Sequence, residues 1–386
     1  MKNLFKMMFS VCLAVATATS VSGFVTAAAA ESLTNDCKAA YLIDYNSGEC
    51  IYSENENAHM PIASVCKVMT LTLCFDAIAN GELSLEDKIT VGENASGMGG
   101  SQVFLDKGLE YSADQLIKSV IVCSANDSCV ALSERIAGSE EEFVSRMNKK
   151  ATELGCADTV FANCTGLPRE TQYSCAKDVA IMFRNLLKYD SYFEYSRIWL
   201  EDFVHPDNRT TSMTNTNKLI KKYSYCDGGK TGFTNEAGFC LASTAKKGDL
   251  RLVSVVLGAT TSNDRFNSAI RMFEYGFANY KNRIVLDKDV VLNEEFSVTG
   301  GKKETFSVRP ERNCYVFSGA NQTPEITHNI INYNVKAPVL IDQVVGEIGI
   351  FKDGTLVDTV NIVAAENVAK AGFGDYFRRS ARDWAV

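Results

Sequence analysis

Ser64-Val65-Cys66-Lys67 follows Pro61-Ile62-Ala63 and opens the run Val68-Met69-Thr70-Leu71-Thr72-Leu73-Cys74-Phe75-Asp76-Ala77-Ile78-Ala79-Asn80-Gly81. The run is apolar on nearly every side and has no interior Gly or Pro. It stops at Asn80-Gly81, a C-terminal helix signal. A helix apolar all round belongs in the middle of a domain. Ser64 is then expected in its first turn, where free N–H groups favour developing negative charge. Lys67 lies one turn on, on the same face, within reach of the Ser64 hydroxyl. A cation buried there needs partners or work to do. Alone, the spacing has a plainer reading, a Ser N-cap followed by a Lys reaching for solvent. The rest of the chain decides between them.

The 386 residues, 46% of them hydrophobic, allow two domains. Lys2 and Lys6 precede an uncharged apolar stretch, Met7 to Thr26, ending in Ala27-Ala28-Ala29-Ala30. That is the pattern of a secretory leader cut after Ala30. Cleavage removes two lysines and no acid, taking the net charge from −8 to −10. Such an acidic exported chain is a poor partner for nucleic acid. The 13 cysteines include no C-x-x-C and no metal-ligand spacing with His. Cys66, Cys74, Cys123 and Cys129 fall inside apolar helical patterns, as small core residues do. Mostly reduced thiols are expected, suiting a host that lives without oxygen, with Cys37–Cys50 the one candidate bridge, across the first hairpin.

Along the chain, Ala39 to Asp44 and Glu49 to Tyr52 read as strands joined by Asn46-Ser47-Gly48. Ser112 with Gln115 forms a capping box for a helix to Val122. Cys123 to Asp127 breaks that helix from the next, and Ser139 and Ser174 start two more. A polar, irregular stretch follows. Gly238 to Thr244 and Leu252 to Gly258 read as strands, and Asn263 to about Tyr280 as a helix. Strands at both ends of an all-helical middle imply an α/β architecture with one sheet assembled from distant segments. The texture then changes to short strands at Val290-Val291-Leu292, 305–308, 315–318, 330–335, 344–351 and 355–363, an all-β domain. The expected organisation is a leader (1–30), a first domain (31–283), a β domain (284–364) and a helical tail (365–386). In that tail Phe373, Tyr376, Phe377 and Trp384 stand beside Arg378, Arg379 and Arg382, which suits a helix on an anionic membrane surface.

Three elements stand in one order: Ser64-x-x-Lys67, Ser124-Ala125-Asn126 and Lys230-Thr231-Gly232. S-x-x-K, S-D-N and K-T-G together mark penicillin-binding proteins and class A β-lactamases; here the middle member is Ser-Ala-Asn. Gly99-Gly100-Ser101, Thr165-Gly166-Leu167, Asp227-Gly228-Gly229 before Lys230, and Arg265-Phe266-Asn267 extend the match. The chain resembles the low-molecular-mass penicillin-binding proteins that are serine-type D-alanyl-D-alanine carboxypeptidases. The resemblance implies a β-lactamase/transpeptidase-like α/β (α+β) domain, a helical subdomain set against an antiparallel sheet, followed by a small β domain.

Acyl transfer needs a nucleophile, a base and an oxyanion site. His59, His205 and His328 sit in no motif-like setting, so the expected base is a lysine, depressed by burial and by a second cation. Ser64 is the candidate nucleophile, Lys67 the base, Ser124 a proton relay and Lys230 the second cation. The Asn126 amide is placed to hold Lys67 and a substrate amide. The glycines before Lys230 allow a peptide to add along the strand. The resemblance further implies an oxyanion hole from the Ser64 and Phe233 N–H groups, and substrate binding by Lys230, Thr231, Gly232, Phe233 and Arg265, with Thr231 and Arg265 at the terminal carboxylate. It implies a peptidoglycan pentapeptide substrate, covalent inhibition by β-lactams and no metal or organic cofactor. The setting it implies is the outer face of the cytoplasmic membrane or the wall of a Gram-positive-type anaerobe. The rivals are a β-lactamase, for which no Glu-x-x-Leu-Asn follows Ser124, a D,D-endopeptidase, and a non-catalytic penicillin sensor or wall-binding protein.

Overall fold

The computed structural model describes residues 32–34 and 36–383. The expected leader and Trp384 lie outside the described residues, as does the Arg382 side chain. β1 (Ala39–Asp44) and β2 (Cys50–Glu54) form the first hairpin. Its turn is closed by Asp44, which accepts from the Ser47 N–H at 2.7 Å and hydroxyl at 2.8 Å. A single 3-10 turn, Ala63–Cys66, carries Ser64 and runs straight into α1 (Lys67–Ala79). α1 stops where Gly81 takes a φ of +73°.

A short ribbon, β3 (Lys88–Thr90) with β4 (Glu110–Ser112), flanks α2 (Glu93–Ser96). α3 (Ala113–Val122) starts on the Ser112–Gln115 capping box, with both reciprocal bonds made. α4 (Asn126–Ala137) follows the break, and Ser139 caps α5 (Glu140–Glu153). α6 (Ala176–Leu186) is capped by Cys175 rather than Ser174, and α7 (Asp190–Ser196) follows. The stretch expected to be irregular holds a hairpin, β5 (Leu200–Val204) with β6 (Thr210–Thr214), then the short α8 (Leu219–Lys222). In each of these strands one apolar side chain, Phe203 or Met213, is buried, too few to make an alternating pattern.

β7 (Cys226–Thr234), β8 (Gly238–Lys247), β9 (Leu250–Ala259) and α9 (Ser262–Asn279) complete the first domain. The sheet is antiparallel in the order β2-β1-β9-β8-β7, so β7 is an edge strand. Alternate residues of β1 and β9 serve two cores. Ile43, Val253 and Val255 join the helical core around α1 and α6. Leu42, Leu252 and Val256 join Phe266, Met272 and Phe273 of α9 on the opposite face. α1 runs among α3, α4, α5 and α6 with Val68, Met69, Leu71 and Cys74 fully buried.

β10 (Tyr280–Leu286) spans the expected boundary at 283/284. It is followed by β11 (Glu295–Ser297), β12 (Thr305–Pro310), β13 (Cys314–Gly319), β14 (Ile326–Asn332), β15 (Val344–Lys352) and β16 (Thr355–Ala364). One sheet runs β11-β12-β16-β15-β14 and another pairs β10 with β13, around Phe306, Ile348, Ile350, Val360 and Ile362. Asn282 donates to the buried Asp44 at 2.8 Å, tying this domain to the first hairpin.

Three further expectations fail. Val290-Val291-Leu292 forms no strand: it follows a turn at Asp287, and Val290 and Val291 are exposed. The tail is not helical from 365. Val368 bridges to Val339 and Lys370 to Gly301, so the chain runs extended across the β domain until α10 (Phe373–Asp383). Cys37 and Cys50 are free thiols, like the other described cysteines. The hairpin register sets Cys50 opposite Ile43, six residues beyond Cys37. That is about 20 Å along a strand, where a bridge needs Cα atoms within about 7 Å. Because Leu71 of α1 is fully buried, Leu71→Ala is expected to cost about 2–5 kcal/mol, read as a shift in the urea midpoint. A shift under about 0.5 kcal/mol would show that α1 is not central to stability.

Candidate active site

Lys67 is fully buried, and its Nζ lies 2.9 Å from the Ser64 hydroxyl. Its other bond is to the Thr165 carbonyl. Lys230, on β7, is also buried, with its Nζ 2.8 Å from the Ser124 hydroxyl and 3.0 Å from the Thr231 carbonyl. Burial and the charge of Lys67 push the Lys230 ammonium well below the usual lysine range. Three separate stretches of the chain thus form two Ser–Lys pairs, close enough for Lys67 to act on Lys230. The electrostatic depression expected from paired lysines falls on Lys230, with Lys67 its second cause after burial.

Backbone strain aims both serines. Ser124, between α3 and α4, takes a φ of +68°, and Ala63, just before the nucleophile, a φ of +47°. Ser124 is held in place by its surroundings: the Ser119 and Ser128 hydroxyls join α3 to α4 at 2.6 Å, and the Asn126 N–H donates to the Ser101 carbonyl at 2.7 Å. The Asp127 carboxylate accepts from the N–H groups of Val103 and Leu105, pinning the loop that crosses the mouth of α4. Asn126 does not hold Lys67. Its amide N–H2 donates to the Gly99 carbonyl at 2.7 Å, leaving its buried carbonyl oxygen as an acceptor without a protein partner.

Gly166 and Gly232 are required by close approach. A Cβ on Gly166, whose φ is +82°, would lie 2.0 Å from the Ala63 carbonyl oxygen. A Cβ on Gly232 would lie 2.7 Å from the Ile62 oxygen and 3.0 Å from the Ser64 nitrogen. The loop and the edge strand therefore close on the nucleophile turn from two sides. Side chains at Gly228 and Gly229 would press on Tyr192 and Asn217, so these glycines seat the strand on the helical subdomain.

Thr231 is buried on the same strand, and Phe233 is about half exposed at its end, stacked on Phe239 at 4.3 Å. Arg265 is buried beside the strand. Its guanidinium donates to the carbonyls of Gly232 at 3.0 Å and Cys240 at 3.2 Å and to the Ser262 hydroxyl, and burial lowers its pKa to about 10. The motifs do not reveal the part of the Thr165 carbonyl, which accepts from Lys67. Asn163 organises that loop, accepting from the Gly166 N–H at 2.7 Å and donating to the Leu167 carbonyl at 2.9 Å. Thr165-Gly166-Leu167 was the visible signal, but a carbonyl leaves no mark on residue type. His59 lies against Asp158 at 2.7 Å and His205 against Tyr111 at 3.0 Å, so the Ser64 hydroxyl has lysine as its basic neighbour.

The family model for D-alanyl-D-alanine carboxypeptidase matches residues 25–261, well over half of the chain. The chain belongs to this family. A second model, the C-terminal domain of penicillin-binding protein 5, matches residues 280–370. The D-alanyl-D-alanine carboxypeptidase DacF of Bacillus subtilis is 36% identical over 91% of both chains. DacC of Escherichia coli is 31% identical over 91% of this chain and 89% of its own. Among solved structures, penicillin-binding protein 5 of Haemophilus influenzae superposes with a TM-score of 0.66 at 28% identity, over 87% of this chain and 98% of its own. A D-alanyl-D-alanine endopeptidase of Pseudomonas aeruginosa is 29% identical over 70% of this chain and 88% of its own. This carboxypeptidase is thus a serine peptidase of the penicillin-binding type.

Lysine-selective NMR across a pH titration checks the electrostatics of the cleft. Lys230 should lose its proton well below the ordinary lysine value of about 10.4. In Lys67→Met the neighbouring charge is gone, so the Lys230 titration should move to higher pH while burial keeps it below that value. An unchanged Lys230 titration in the variant would show that the two amines do not interact.

Proposed function

We propose that this protein is an exported D-Ala-D-Ala carboxypeptidase that removes the terminal D-alanine from peptidoglycan pentapeptide stems. The observation that carries this reading is the two Ser–Lys couples, their lysines buried, beside the edge strand β7. The names of its carboxypeptidase relatives support the substrate, and their alignment over both domains favours them over the endopeptidase, which aligns over 70% of the chain.

The Ser64 oxygen attacks the carbonyl carbon of the penultimate D-alanine, and its proton passes to the Lys67 nitrogen. The carbonyl electrons move to oxygen, which the N–H groups of Ser64 and Phe233 receive. Collapse breaks the peptide bond, and the proton taken by Lys67 passes to the departing amine through the Ser124 hydroxyl, which Lys230 holds, so that Lys67 is free to act as base again. D-Alanine leaves, and an ester joins the shortened stem to Ser64. Water attacks that ester, giving a proton to the same base, and its collapse returns the Ser64 hydroxyl. Asn126 Oδ1, the buried acceptor without a partner, is set to receive the substrate amide N–H. Thr231 and Arg265 meet the terminal carboxylate, and Arg265 also braces β7 at the Gly232 carbonyl. β-Lactams acylate Ser64 as mimics of the scissile pair.

The leader-like sequence at 1–30 supports export. On α10, Tyr376 and Arg379 face the turn at Gly300–Lys302, whereas Phe373 and Phe377 are exposed one turn apart. That arrangement supports surface contact with a membrane, and no described helix is long and apolar enough to cross one.

Two measurements test the chemistry. Release of D-alanine from diacetyl-Lys-D-Ala-D-Ala should vanish in Ser64→Ala, and brief penicillin treatment should place the adduct mass on the peptide holding Ser64. An adduct on any other side chain would end this reading. Lys67→Arg keeps the charge but cannot release its proton, so acylation should slow by about 10²–10⁴-fold. A rate within threefold of the parent would exclude Lys67 as base.

A further inference from the structure

A cavity of about 550 Å³ opens beside the nucleophile turn, between Ala63, Gly166 and Thr234 at the far end of β7. Its floor is apolar, from Pro61, Ile62 and Leu167, and Arg169, Glu170 and Glu236 stand along its lining. Elsewhere in this domain Arg251 pairs with Asp227 and Arg209 with Asp106. Among the described residues Arg169, Glu170 and Glu236 make no ion pair. One cation and two anions are thus left uncommitted around an apolar slot, next to the reacting serine.

The cleft has a direction. The departing amine must be protonated at Ser124 and Lys230, so the leaving residue lies at the Lys230 end of β7. A peptide laid along this edge at about 3.3 Å per residue carries its acyl side toward Thr234. The side chain of the residue before the D-Ala-D-Ala pair then meets the cavity. We propose that the cavity is the subsite for that side chain, and that it selects a diamino acid ending in an ammonium and a carboxylate on one carbon. The methylenes lie on the apolar floor. Arg169 takes the carboxylate, a planar pairing suited to guanidinium, and Glu170 and Glu236 take the ammonium. A lysine side chain offers the ammonium alone and leaves Arg169 unpaired. This inference rests on the stem-peptide reading of the function.

The test uses the full chain and three acetylated tripeptides, X-D-Ala-D-Ala, in which X is meso-diaminopimelate, lysine or Nε-acetyl-lysine. D-Alanine release should give a kcat/KM about tenfold higher for diaminopimelate than for Nε-acetyl-lysine, with lysine between them; exposed charges sustain preferences of about this size. Arg169→Glu should reverse the order of diaminopimelate and lysine. Equal constants for all three peptides in the parent, or one common factor of change in Arg169→Glu, would overturn the subsite while leaving the carboxypeptidase standing. No release from any peptide would overturn both.

Discussion

Two ammonium groups sharing a dry cleft are the constraint to which the rest of the structure answers. Burying one lysine is unfavourable, and burying a second beside it is worse, unless the site gives up a proton. Each amine here is held by a serine hydroxyl and a backbone carbonyl, neither of which supplies a compensating negative charge. The protein thereby keeps a basic nitrogen at hand without the histidine on which other serine peptidases rely. Paired carboxylates would have neutralised the cations and removed the chemistry.

Holding that arrangement takes backbone rather than side chains. The nucleophile turn sits at the meeting of a loop and an edge strand, and both can approach only because Gly166 and Gly232 carry no Cβ. Ala63 and Ser124 occupy left-handed backbone regions, each an unfavourable conformation of about 1–3 kcal/mol that the surrounding packing sustains. Both cores contribute: one fixes α1 on the helical side, and the other fixes β8 and β9 through α9, with Arg265 bracing the strand that carries Lys230. Strain, close approach and burial are concentrated within a few residues of the reacting hydroxyl.

The elements readable from sequence are those whose local chemistry is strong. The capping box at Ser112, the hairpin around Asn46-Ser47-Gly48 and the apolar run from Val68 all depend on neighbours in the chain. The β5–β6 hairpin was not readable, because each of its strands buries one apolar residue. Nor was the extended course of 365–372, since Val339 and Gly301, which hold it, lie far away in sequence. A bridge between Cys37 and Cys50 looked reasonable by spacing and failed on register.

Sequence alone determined the chemical groups: two serines, two lysines and an asparagine in an order that few other functions use, with glycines at the places of closest approach. Residue identity and short-range spacing suffice for that, because they reflect which atoms are available. Only the tertiary structure decided how those groups are engaged. It turned the Asn126 amide to Gly99 and not to Lys67, made the Thr165 carbonyl a ligand of the base, and bonded Arg265 to the Gly232 carbonyl. Such contacts join segments more than twenty residues apart, and several end on backbone carbonyls that every residue type carries. No pattern of side chains encodes them; they follow from where packing brings the chain back upon itself.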